Sequence, residues 1–115
     1  MELARVFELE TRLKGTTREI QKIKYQLEHI EVTKIAKKHN MSDDDKSSIV
    51  LRMGTIEILC NEYNCKVTVE YKKDADPIDI LLDQPNKKIV IYVSSDSTKE
   101  MVELIAKKRN LTIAY

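Results

Sequence analysis

Aliphatic side chains recur in alternating steps of three and four at the start of this chain: Val6, Leu9, Leu13, Ile20, Ile23, Leu27 and Ile30, with Thr16 in the one polar seat. These are the a and d positions of a heptad, and Arg12, Lys14, Arg18, Glu19, Lys22, Lys24 and Glu28 between them suit a solvated face. The stripe is narrower than the face a helix turns toward a globular core, so the partner it predicts is another helix. We therefore expect residues 1–40 to form a coiled-coil oligomerisation arm, with the same residues as its seam. Packing of the stripe against the chain's own domain is the alternative. At Gly15-Thr16-Thr17 a helix terminator meets a capping pair, Thr16 and Glu19. Either one helix runs through, as the unbroken heptad phase suggests, or two helices meet there.

Beyond the arm, Asn40-Met41-Ser42 interrupts the pattern, and Ser42 is placed to cap a second helix. Asp43, Asp44 and Asp45 then form an acidic first turn, favoured by the helix dipole, rather than a metal site, because consecutive helical side chains diverge. That helix is expected to end near Tyr63, with Ile49, Met53, Ile56, Leu59 and Cys60 at core spacing. The period then falls to two. Strands are expected at Lys66–Tyr71, Ile78–Leu82 and Lys88–Val93, the last apolar on both faces and hence central. Ser97 and Glu100 form a capping box that opens a helix to Lys107-Lys108-Arg109, and Leu111–Tyr115 reads as a last strand. The domain expected over residues 43–115 is thus α/β: helix, three strands, helix, strand, with a mixed sheet.

Composition narrows the function. Charged residues make up 34% of the chain, but 20 basic and 19 acidic groups nearly cancel, which argues against coating nucleic acid by charge alone. A local patch from Lys87, Lys88, Lys107, Lys108 and Arg109 remains a candidate DNA surface, against the plainer reading of a solvated face with favourable charge at a helix C-terminus. No apolar run reaches the ~20 residues of a membrane span, and the charged start lacks a signal-peptide core, so a soluble, cytoplasmic protein is expected. Cys60 and Cys65 are too few for a disulfide framework or a four-ligand zinc site. They read as two thiols or one local disulfide. Abundant Lys, Glu and Ile with two Gly, two Pro and no Trp fit a thermophile. His29 and His39 read as surface residues of the arm.

Met53-Gly54-Thr55-Ile56-Glu57, then Asp79 after Pro77, then Ile89-Val90-Ile91-Tyr92-Val93-Ser94-Ser95 carry a resemblance. Over residues 49–115 the chain resembles the core of the restriction-endonuclease-like, or PD-(D/E)xK, nucleases, among them the archaeal Holliday junction resolvases. The resemblance implies that Asp79 is the family's aspartate and that Glu57 follows its first-helix signature. Tyr92 stands where the family has its second carboxylate, and Ser94 where it has lysine. Two carboxylates are needed to hold Mg²⁺ against a phosphate, and the lysine helps place the attacking water. The resemblance is therefore one of fold, and Asp79, lacking that lysine, is expected to be exposed or hydrogen-bonded. The expected protein needs no cofactor or metal. It is a non-catalytic, self-associating interaction protein, a homodimer or higher, presenting a degenerate nuclease-like domain to a protein or to DNA. The alternatives are a metal-dependent nuclease with a migrated site at Glu57, Asp76 and Asp79, and a sequence-independent DNA-binding protein.

Overall fold

The computed structural model describes residues 22–114. The chain divides between Ile30 and Glu31. Helix α1 covers residues 22–38 and is followed by α2 (Asp43–Tyr63), β1 (Lys66–Tyr71), β2 (Ile78–Asp83), β3 (Lys88–Val93) and α3 (Asp96–Lys108). This is an α/β arrangement with three helices and a three-stranded mixed sheet among the described residues. Val6, Leu9, Leu13, Ile20 and the Gly15 junction lie outside them.

Local chemistry sets the helix ends. Asn40 takes the left-handed conformation (φ 53°), and the Met41 N–H reaches the Ala36 carbonyl at 2.8 Å, closing the end of α1. The Ser42 hydroxyl accepts from the Asp45 N–H at 3.1 Å, so α2 starts as its cap and acidic first turn predict. At the other end Asn64 is left-handed, with its N–H on the Cys60 carbonyl. The cap of α3 is Ser95, which accepts from the Thr98 N–H at 3.2 Å, not the expected Ser97. Glu100, the expected second member of that box, is bonded elsewhere, to His39 and Lys38.

The strand order is β1-β3-β2, with β3 parallel to β1 and antiparallel to β2. As its apolar run predicts, β3 is central. The expected last strand, Leu111–Tyr115, is reduced to one parallel bridge between Ile113 and Val67, with the Ala114 N–H on the Val67 carbonyl. It is too short for a ladder, so among the described residues the sheet has three strands and an appended bridge.

Alternation divides the sheet into two faces. Val67, Val69, Ile78, Ile80, Leu82, Ile89, Ile91 and Val93 share one face and join the core with Val32 and Ala36 of α1, Ile49, Met53 and Ile56 of α2, and Met101, Val102, Ile105 and Ala106 of α3. Residues 31–38, read from the sequence as the end of the arm, thus belong to the second unit and to its core. Each large core side chain contributes roughly 1.5–3 kcal/mol by leaving water. The opposite face carries Lys66, Thr68 and Glu70 of β1, Lys88, Val90 and Tyr92 of β3, and Asp79, Leu81 and Asp83 of β2. Val90 is buried there but lies outside the main cluster.

Candidate functional site

β2 and β3 run side by side, so Asp79 stands directly opposite Tyr92, with Glu70 on the far side of Tyr92. Lys72, just past the end of β1, reaches over this row. Its Nζ lies 3.3 Å from Asp79 Oδ2 and 5.3 Å from the centre of the Tyr92 ring. Asp79 therefore does have a lysine partner, one contributed from outside the register position in which a lysine was sought. The pair is half exposed, where an ion pair contributes at most about 1 kcal/mol. Nearby, the Ser94 hydroxyl donates to the Pro77 carbonyl at 3.3 Å.

Glu57 is engaged on the other side of the sheet. Its Oε2 lies 3.2 Å from Arg109 Nη1, and the Arg109 side chain is only 10% exposed. The pair joins α2 to the end of α3. Beside it, a Cβ built on Gly54 would meet only Arg109 Nη1, at an ordinary 3.5 Å, so packing does not demand glycine there. Asp76 is exposed in the turn before β2. Among the described residues no three His, Cys, Asp or Glu side chains come together as metal ligands, so Glu57, Asp76 and Asp79 do not form a shared site.

The five basic residues also part company. Arg109 is the near-buried partner of Glu57, and Lys108 lies 3.1 Å from Glu31. Lys87 and Lys107 are exposed, and Lys88 is half buried. Lys66 stands beside Lys88 across the parallel pair, which gives that end of the sheet's second face its positive charge.

Two further polar clusters tie helices to neighbours. His39, expected on the surface, is half buried, with Nε2 at 2.5 Å from Glu100, and Lys38 reaches the other Glu100 oxygen at 3.2 Å. The hydrogen bond from His39, and then that from Lys38, holds the Glu100 carboxyl below its ordinary pKa. The Tyr71 hydroxyl donates to Asp96, which pushes the phenol pKa up, and Lys99 lies over the Tyr71 ring at 5.5 Å. Both cysteines are free thiols. Burial, with Cys65 adding to it, raises the Cys60 pKa.

Exposed apolar residues are the other candidate surfaces. Ile23, Leu27 and Ile30, the seam residues within the described part, are each about half exposed. On α2, Leu51 and Ile58 are 75% and 65% exposed, two turns apart on one side of the helix. No helix among the described residues is long and apolar enough to cross a membrane. Comparison with protein-family models, with curated proteins and with solved structures yields no match to this chain.

Proposed function

We propose that the chain is a non-catalytic, self-associating interaction protein, joined by its N-terminal seam and presenting its α/β unit as a binding surface. The observation that carries this reading is the apolar row Ile23, Leu27 and Ile30, at helical spacings of four and three and each about half in water. A helix that keeps such a row in heptad phase gains by laying it against another helix, since each side chain buried contributes roughly 1.5–3 kcal/mol. Leu51 and Ile58 add a second apolar strip on α2. For the α/β unit, the placing of Asp79 opposite Tyr92 supports a nuclease-like core whose second carboxylate has become tyrosine. Among the described residues Glu57, Asp76 and Asp79 do not come together, so the migrated-nuclease alternative has no shared site behind it. The ion pairs that occupy Lys108 and Arg109 weigh against DNA as the main partner.

Light scattering on the full chain tests the proposal. A mass that is a multiple of 13.4 kDa at micromolar concentration is expected, falling toward 13.4 kDa in Ile23→Asp/Leu27→Asp with the circular dichroism of the α/β unit kept. A wild-type mass of 13.4 kDa under those conditions would refute self-association.

A further inference from the structure

Residues five apart on a continuing helix point about 140° away from each other, so Cys60 and Cys65 would not face each other if α2 ran on. The helix stops between them. Asn64 takes the left-handed conformation (φ 51°, ψ 51°), and its N–H reaches back to the Cys60 carbonyl at 2.9 Å. In a helix end of this kind, the residue after the left-handed one commonly folds back onto the residue whose carbonyl is held. Those two residues are Cys65 and Cys60. Both are half buried, and both pack against the same core cluster. Cys65 also helps to raise the Cys60 pKa, an influence that fades with distance. Just past the pair, the Lys66 N–H is bonded to the Lys87 carbonyl at 2.8 Å, so Cys65 is held from both directions.

From this geometry we propose that Cys60 and Cys65 are a redox-active dithiol, oxidised by small disulfide compounds to a disulfide that locks the turn between α2 and β1. Both thiols belong to one copy, so the pair does not depend on the seam. One thiol gives its proton to solvent, and its sulfur attacks a sulfur of the compound, breaking that S–S bond and releasing one thiolate. The second cysteine, likewise deprotonated, attacks the protein sulfur of the mixed disulfide and releases the other thiolate. The compound has then gained two electrons, and the two protons end on its two thiols. Burial holds the proton on Cys60, so closure is slow near neutral pH and quickens as pH rises. In a reducing compartment the pair stays open, and it closes as disulfide compounds accumulate.

The test uses the full chain. Reduced protein is equilibrated with mixtures of reduced and oxidised glutathione, once folded and once in concentrated urea. Free thiols are then blocked, and mass spectrometry counts the chains that have lost two hydrogens and carry a Cys60–Cys65 link. The glutathione ratio at half closure is expected to favour the folded chain by about tenfold or more, because folding raises the effective concentration of one thiol at the other. Asn64→Val, whose branched side chain resists positive φ, moves the folded value toward that in urea, whereas Asn64→Gly leaves it in place. Oxidised wild type melts above reduced wild type by about 5 °C or more, a rise absent from Cys60→Ser. Equal ratios in the folded chain and in urea, or links only between copies or to glutathione, would overturn the dithiol. An unchanged ratio in Asn64→Val, at a temperature where its circular dichroism matches wild type, would overturn the cap as its cause. Equal melting points for oxidised and reduced wild type would overturn the lock.

Discussion

Helices α2 and α3 cover the same face of the sheet, yet they treat their outer sides differently. α3 turns Met101, Val102, Ile105 and Ala106 inward, and the residues it leaves outward at its end are the cations Lys107 and Lys108. α2 turns Ile49, Met53 and Ile56 inward but leaves Leu51 and Ile58 in water on its outer side. A helix with one apolar side needs only its own domain. One with two apolar sides has more surface than its domain can use, which marks α2 as the helix that faces beyond the fold.

The strongest way to break this contrast is to cut back both sides of α2. Met53→Ala should lower unfolding free energy by about 2–5 kcal/mol, because Met53 is wholly buried and its loss leaves a cavity. Leu51→Ala should stay within about 0.5 kcal/mol in dilute solution. Urea titrations of the two variants decide the matter. Equal losses would mean that Leu51 is part of the fold and that α2 has no outward side.

A smaller effect sharpens the comparison through one carboxylate from each helix. Glu57 of α2 faces the near-buried Arg109 guanidinium, so Glu57→Ala should cost about 1–3 kcal/mol in the same titration. A cost near zero would show that Arg109 does not depend on Glu57. Glu100 of α3 is more exposed, and its effect lies in the shape of the pH profile. Its folded carboxyl is held below the ordinary value by His39 and Lys38. Its stabilisation is therefore complete above the ordinary carboxylate range and is lost as pH falls through that range and below. Thermal midpoints between neutral and acid pH should fall less steeply in Glu100→Gln than in wild type. Parallel curves for the two would remove Glu100 as a source of acid sensitivity.

Elements whose cause is local were legible in the sequence. Alternation located β1, β2 and β3, and Ser42 with three aspartates behind it located the start of α2. The start of α3 was not decided locally. Ser94, Ser95, Ser97 and Thr98 are all capable caps in one short stretch, and it is Ser95, in extended conformation, whose hydroxyl accepts from the Thr98 N–H. Leu111–Tyr115 alternates like a strand, but a ladder needs length as well as period, and among its described residues only Ile113 pairs. Of the candidate site, the opposition of Asp79 and Tyr92 follows from strand register. Lys72 was missed because it sits in a turn, seven residues from Asp79, where no periodic signal points. The pairs of Glu57 with Arg109 and His39 with Glu100 span 52 and 61 residues, so only the tertiary fold brings them together.

The central place of β3 has a consequence for how this chain tolerates changes in length. β3 keeps register with a parallel neighbour and an antiparallel one at once, Val93 meeting both Tyr71 and Ile78. Adding or deleting one residue within it would turn the core-facing side chains on one side of the change outward and bring their polar neighbours toward the helices. Neither neighbour could follow, because one runs with β3 and the other against it. Between the strands, length changes are best placed in the exposed turn at residues 84–87, which can lengthen while all three strands hold their places.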